Sequence, residues 1–252
     1  GLSRLQTAWG RLSLTWNGAM IYNVGPLDDD IIVPSILFIE SMRQRGIDYT
    51  NTVRESIDEA LESGVPLDQA YFDGLAFNEI GMLALEILVF ESATSTRSTA
   101  LEDIVAQYDA EPRTCAYLQG VAGRLARRAA AVRNGWTTSF GDTGTPYRAI
   151  FLSGELPDGA QPAPELVGVL IDHLVYVQRR KLEGILDAKL SGLFFANQAA
   201  TIAEIEALFE GSGGPDGYSF FDVMIDRGFA AEADQLRADL VAASSAAEAE
   251  TR

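Results

Sequence analysis

Histidine and cysteine are almost missing from this chain: one of each, His173 and Cys115, in 252 residues. A zinc-peptidase helix of the His-Glu-x-x-His type needs two histidines one turn apart, and this chain cannot supply them. A lone cysteine makes no intrachain disulfide and no thiolate metal cluster. Di-iron bundles use Glu-x-x-His pairs, yet Glu86, the carboxylate of the most apolar stretch, is followed three residues later by Val89. Basic residues are scarce too, 19 against 36 acidic, for a formal net charge of -17. Nucleic-acid binding over a broad surface is disfavoured, because phosphate contacts need clustered Lys and Arg. No apolar run approaches the roughly 20 residues that cross a bilayer, so no transmembrane segment is expected. Nor does any segment alternate apolar and polar residues with β-branched enrichment, which leaves no strand.

What is present is helix. The hydrophobic fraction of 47% suits a packed core, not a disordered chain. Apolar residues recur at three- and four-residue spacing from Leu2 to Tyr22, where Leu5, Trp9, Leu12 and Trp16 mark one stripe. Gly25-Pro26 breaks that helix, and Pro34 opens another, about Val33 to Arg45, closed by Gly46. Helices follow from Thr50 to Ser63, Leu67 to Ser92, Leu101 to Tyr108 and Pro112 to Trp136. The last carries Cys115, Leu118, Val121/Ala122, Leu125, Ala129 and Val132 inward. Residues 137–164 are rich in Gly and Pro and form the longest irregular region, with a short helix from Pro146 to Leu152. Helices from Pro164 to about Leu190, Ala199 to Glu210, Phe220 to Arg227 and Ala230 to about Ala247 complete the chain. The class is all-α, read as two helical bundles, residues 1–111 and 112–252.

The stretch Phe72–Phe90 organises the rest. From Ile80 to Phe90 it is apolar on every side except at Glu86, and such a helix belongs in the middle of a bundle. On a continuous helix the positions 72, 76, 79, 83, 86 and 90 share a stripe, which brings Glu79 and Glu86 together. A carboxylate in apolar surroundings is costly unless protonated, paired or bound to a cation. Glu86 is therefore either a satisfied core carboxylate, bonded to a Trp, Tyr, Arg or backbone group, or a functional one at a helix-lined site. Gly74 and Gly81 cost helix stability and point to close approach or local distortion beside it.

Other groups weigh less. Asp28, Asp29 and Asp30 lack the spaced ligands of a calcium loop and suit a helix start. Arg124, Arg127, Arg128 and Arg133 form the one basic concentration, expected to pair with acidic neighbours or to meet an anion. His173 falls on an apolar stripe, where a core hydrogen-bonding role outweighs metal ligation. No Gly-x-Ser-x-Gly elbow accompanies it to make a nucleophile triad.

A set of landmarks resembles the imelysin-like family. They are Trp9 and Trp16, then Asn23-Val24-Gly25-Pro26, then Gly81 through Glu86 to Phe90. Arg113 to Leu118 ahead of Trp136, and Ile202 to Gly211, follow in the same order over nearly the whole chain. The resemblance implies two helical-bundle domains, export to the bacterial periplasm or outer membrane, and a link to iron uptake. The chain's start at Gly1, directly before a helix, agrees with removal of an export segment. It further implies an interdomain site built on a Gly-x-His-x-x-Glu motif. Gly81 and Glu86 match that motif, while Leu83 stands at the histidine position. The family's Glu-Ser-Arg-type segment falls at about Ser191–Gln198, without its arginine.

The functions so implied are a non-enzymatic binding role around Glu86 with iron, or an iron-containing ligand, as cargo, and a periplasmic or outer-membrane protein as partner. For a metal, Glu86 is the first ligand, Glu79, Asp172 and the 28–30 aspartates are additions, and His173 a remote one; two carboxylates alone are too few for hard iron. The alternatives are a diverged module binding a polymer or protein without metal, and a metallopeptidase with Glu86 as base on a metal-bound water.

Overall fold

In the computed structural model, the described residues are 1–30, 32–40, 47–92, 97–154, 159, 161–176, 188–211 and 217–250. Among them every regular element is helical. The chain divides into two compact units: Gly1–Trp9 with Tyr22–Ser191, and Gly10–Ile21 with Gly192–Arg252. The first helix, α1 (Leu2–Ala19), supplies residues to both.

The first unit is built around one long helix. It contains α2 (Ser35–Ile39), α3 (Thr50–Glu62), α4 (Gln69–Gly74), α5 (Met82–Phe90), α6 (Leu101–Ala110), α7 (Pro112–Thr137), α8 (Tyr147–Ser153) and α9 (Pro162–Tyr176). Pro112 fits the first turn of α7, where its missing N–H costs nothing, and the Glu111 carboxylate accepts the Arg113 N–H at 3.0 Å. Helices α2 to α6 and α8 all pack against α7. Its buried face is Thr114, Tyr117, Val121, Arg124 and Leu125. Val121 and Leu125 face inward as expected, whereas Cys115, Ala122 and Ala129 are exposed, so the buried face is turned relative to part of the expected stripe. The reason is Gly120. The Phe72 ring lies on its bare backbone, where a Cβ would fall 1.9 Å from the ring. That seats the face beside Gly120 on the core and leaves Cys115 to water.

The largest departure from the periodicity is the expected continuous helix Leu67–Ser92. It is three pieces: α4, a single 3-10 turn at Phe77–Glu79, and α5. Leu75, Ala76 and Ile80 are extended between them, and Gly81 has φ +104° and ψ -161°. Asp68 caps α4 by accepting the Tyr71 N–H at 3.0 Å. Apolar spacing runs on through breaks that backbone conformation, not hydrophobicity, imposes.

Helix α5 is buried all round, only Leu83 and Phe90 being half-buried. Its backbone is fastened from outside. The Trp9 indole N–H donates to the Met82 carbonyl at 3.3 Å, Gln6 Nε2 to Val89 at 3.0 Å, and the Tyr108 hydroxyl to Leu88 at 2.9 Å. Trp9 also meets Phe90 edge to face, with centroids 5.6 Å apart. Residues 41–46 of the expected second helix and 177–187 of the expected Pro164–Leu190 helix lie outside the described residues. The expected division after residue 111 falls between α6 and α7, both in the first unit.

The second unit has a different interior. Its helices are α10 (Phe194–Glu210), α11 (Phe220–Asp226) and α12 (Ala230–Glu250), with residues 10–19 of α1. One seam is polar. Ser13 and Asn197 exchange hydrogen bonds through Oγ, Oδ1 and Nδ2 at 3.1 and 2.9 Å, and the Thr201 hydroxyl donates to the Asn17 carbonyl at 3.0 Å. At the other end, Phe209 packs on Phe220 and Phe221, each at 5.5 Å between centroids. The Arg237 guanidinium covers Phe221 at 4.2 Å and donates to Glu210 at 2.9 Å.

Candidate functional site

The site begins with a backbone requirement. At φ +104°, ψ -161° only glycine is comfortable, and a Cβ on Gly81 would lie 2.8 Å from the Ile39 carbonyl oxygen. Gly81 thus lets the start of α5 press against the backbone of α2. Helix α2 is held by cations stacked on Phe38: the Arg124 and Arg128 guanidinium carbons lie 5.1 and 4.1 Å from its ring centroid. Arg124 also donates to the carbonyls of Phe72 and Leu75 at the end of α4. Burial pushes its pKa below the ordinary arginine value, and the neighbouring Arg128 charge adds to this. Arg127 pairs with Asp73 at 2.7 Å, a bond that lowers the Asp73 pKa. Three of the four basic residues therefore position α2 and α4.

Glu86 lies in the second turn of α5 and is 3% exposed. Its Oε1 accepts two donors from Ser191, the backbone N–H at 2.9 Å and the hydroxyl at 2.8 Å. The Ser191 hydroxyl has a second acceptor in reach, the Ala188 carbonyl at 3.0 Å. Ala188 is 6% exposed and has φ +50°, unusual for a residue with a Cβ. Leu83, one turn before Glu86, is half-buried. The bland expectation of a backbone donor for Glu86 is met here, by a residue inside the segment where the family's Glu-Ser-Arg-type landmark falls.

The remaining sequence-derived candidates are placed elsewhere. Glu79 is not on a helical stripe with Glu86, because extended Ile80 and Gly81 separate them. Its Oε2 instead accepts the Ala76 N–H at 2.7 Å, closing its own turn. His173 is fully buried in the last turn of α9, with the Tyr176 ring 6.4 Å away, and the adjacent Asp172 is exposed. Asp29 caps α2, accepting the Ser35 N–H and hydroxyl at 2.7 Å each. Asp30 accepts the Ile32 and Val33 N–H groups, which lower its pKa.

One charged centre has no counterpart in the sequence reading. Glu91, just past α5, has a side chain 2% exposed and receives Arg54 through both Nε, at 2.8 Å, and Nη2. Arg97 stands 3.8 Å from it and pairs with Asp58. Glu91 sits where the predicted helix ends, and a terminal glutamate there reads as solvated. The only available signal was an arginine on the preceding helix.

Iron is a hard cation that needs several oxygen or imidazole lone pairs converging on it. At Glu86 two donors converge on Oε1 instead, and Leu83 contributes no lone pair. No group of three His, Cys, Asp or Glu side chains suited to a metal occurs among the described residues. Among the described residues no ligand set for a resident metal ion assembles at Glu86, and the partners described on its Oε1 are the neutral donors of Ser191. No described helix is long and apolar enough to cross a membrane.

In a comparison with protein families, the imelysin family, Peptidase M75, matches residues 1–249. No curated protein and no solved structure matches the chain.

Proposed function

The chain belongs to the imelysin family, and from that premise we propose that it is an exported, non-enzymatic binding protein of the iron-uptake type. In this reading Glu86 acts as a hydrogen-bonding carboxylate. Iron reaches the protein as cargo within a ligand or through a partner, and no ion sits on Glu86. One observation carries this: both Ser191 donors converge on Glu86 Oε1, at 2.9 and 2.8 Å. A metallopeptidase needs a metal whose water Glu86 would deprotonate, and Leu83 stands where the motif's histidine ligand would be, so the described residues supply no such metal site. The peptidase reading is correspondingly weakened.

A second reading is favoured by Leu83 at the motif's histidine position. A leucine neither ligates nor shuttles protons, so a module that has left metal chemistry for a polymer or protein partner is the alternative. Calorimetric titration with ferrous and ferric iron, zinc and calcium, on wild type and Glu86→Gln, tests the proposal. The expected result is no saturable binding that depends on Glu86, with a lower melting temperature for Glu86→Gln. Stoichiometric binding by the wild type that vanishes in the variant overturns it. Chelator-sensitive cleavage of a peptide panel by the pure protein restores the peptidase reading.

A further inference from the structure

A carboxylate that is 3% exposed meets a ligand only when something above it moves. The group lying on Glu86 Oε1 is Ser191, in a turn that starts at Ala188. That turn is bracketed by two left-handed residues, Ala188 at φ +50° and Gly192 at φ +70°. For glycine the conformation is free of steric cost. For alanine it is strained, since its own side chain has no amide or carboxylate to bond the backbone. Such strain persists only where the surroundings over-determine the conformation. Here Ala188 is buried and Ser191 is tied to Glu86 by two hydrogen bonds. The Ser191 hydroxyl has one proton and two acceptors, Glu86 Oε1 at 2.8 Å and the Ala188 carbonyl at 3.0 Å. It can leave the carboxylate and stay satisfied within its own turn.

We propose that the turn Ala188–Ser191 is a strap closed over Glu86, opened when a ligand's own N–H or O–H donors take the carboxylate. Relaxation of Ala188 offsets part of the cost of opening, so the strap is poised. This rests on the reading of Glu86 as a hydrogen-bonding ligand carboxylate. It also narrows the ligand class to molecules that present donors to that carboxylate.

Amide hydrogen exchange on the full chain, without ligand, tests the strap. Segment 188–192 is followed in wild type, Glu86→Ala, Ser191→Ala and Ala188→Gly, with the α7 amides as the internal standard. Glu86→Ala is expected to speed exchange of the segment by about tenfold while α7 is unchanged. Ser191→Ala keeps the backbone bond and has a smaller effect of the same sign. Ala188→Gly removes the strain of the closed form and slows exchange several-fold.

Unchanged segment exchange in Glu86→Ala with α7 intact overturns the strap, as does faster exchange in Ala188→Gly. If Glu86→Ala loosens α7 as well, Ala188→Gly and Ser191→Ala decide alone. The proposed function fails by a different result, metal binding lost in Glu86→Gln. That outcome leaves the exchange result standing, and unchanged exchange leaves the titration standing.

Discussion

Glu86 and Glu91 lie on one short stretch of chain, each 3% exposed, and the partners described for them differ in charge. Glu91 is met by two arginines, one of them through a pair of hydrogen bonds. Glu86 receives the N–H and hydroxyl of Ser191. Cations fix a buried carboxylate strongly, and removing one member strands the others in a poorly hydrated place. Neutral donors hold a carboxylate less tightly, and another molecule's donors can replace them. The difference separates a structural clamp from a group that can exchange partners.

The sharpest way to break that comparison is to neutralise each carboxylate in turn. Glu91→Gln should cost about 3 kcal/mol, because Arg54 and Arg97 lose their partner. Glu86→Gln should cost only about 1 kcal/mol, since a side-chain amide still offers Ser191 a carbonyl oxygen. Denaturant unfolding of both variants checks the order, and equal losses would erase the distinction. Next comes the backbone that delivers Glu86. Gly81→Ala should cost roughly 2 kcal/mol, from a disallowed φ and a Cβ 2.8 Å from the Ile39 carbonyl oxygen. Its local signature is a disturbance of Phe38 and α5 by NMR; an undisturbed α5 would mean the contact yields.

The smallest effect belongs to a half-buried carboxylate, which extends the comparison toward water. Asp222 accepts the Ser219 hydroxyl at 2.7 Å and its N–H at 2.8 Å, and these bonds lower its pKa below the usual aspartate value. A lowered folded-state pKa adds stability that is present above the unfolded-state value. That stability is lost as pH falls through the folded-state value. The contribution should thus disappear only in acid below the usual aspartate range. Asp222→Asn should flatten that part of the stability-against-pH curve by lowering stability slightly at neutral pH, and leave stability in strong acid nearly unchanged.

Most helices were legible because apolar spacing and caps report directly on a helical face: α3, α6, α7 and α8 fall within one or two residues of expectation. The broken helix around Gly74 and Gly81 was not, because its apolar spacing continues through residues that are extended. Cys115 was misplaced for a related reason, since the inward face of α7 is set by how Phe72 seats on Gly120. At the site, Glu86 was legible as the one charge in an apolar run, and the imelysin-like motif pointed to the same residue. Its partner was not. Ser191 is 105 residues away, just past the end of an expected helix, and apolar spacing cannot pair residues so far apart. Glu91 was missed because helix ends are normally wet, and only tertiary packing buries this one.

The proposal that Glu86 is a hydrogen-bonding carboxylate rests on the Ser191 donors at its Oε1. Anomalous diffraction at the iron edge, on crystals grown with iron, tests it most directly. The account predicts no iron peak within bonding distance of Glu86, with Ser191 still on Oε1. An iron peak on the Glu86 carboxylate with Ser191 displaced would contradict it.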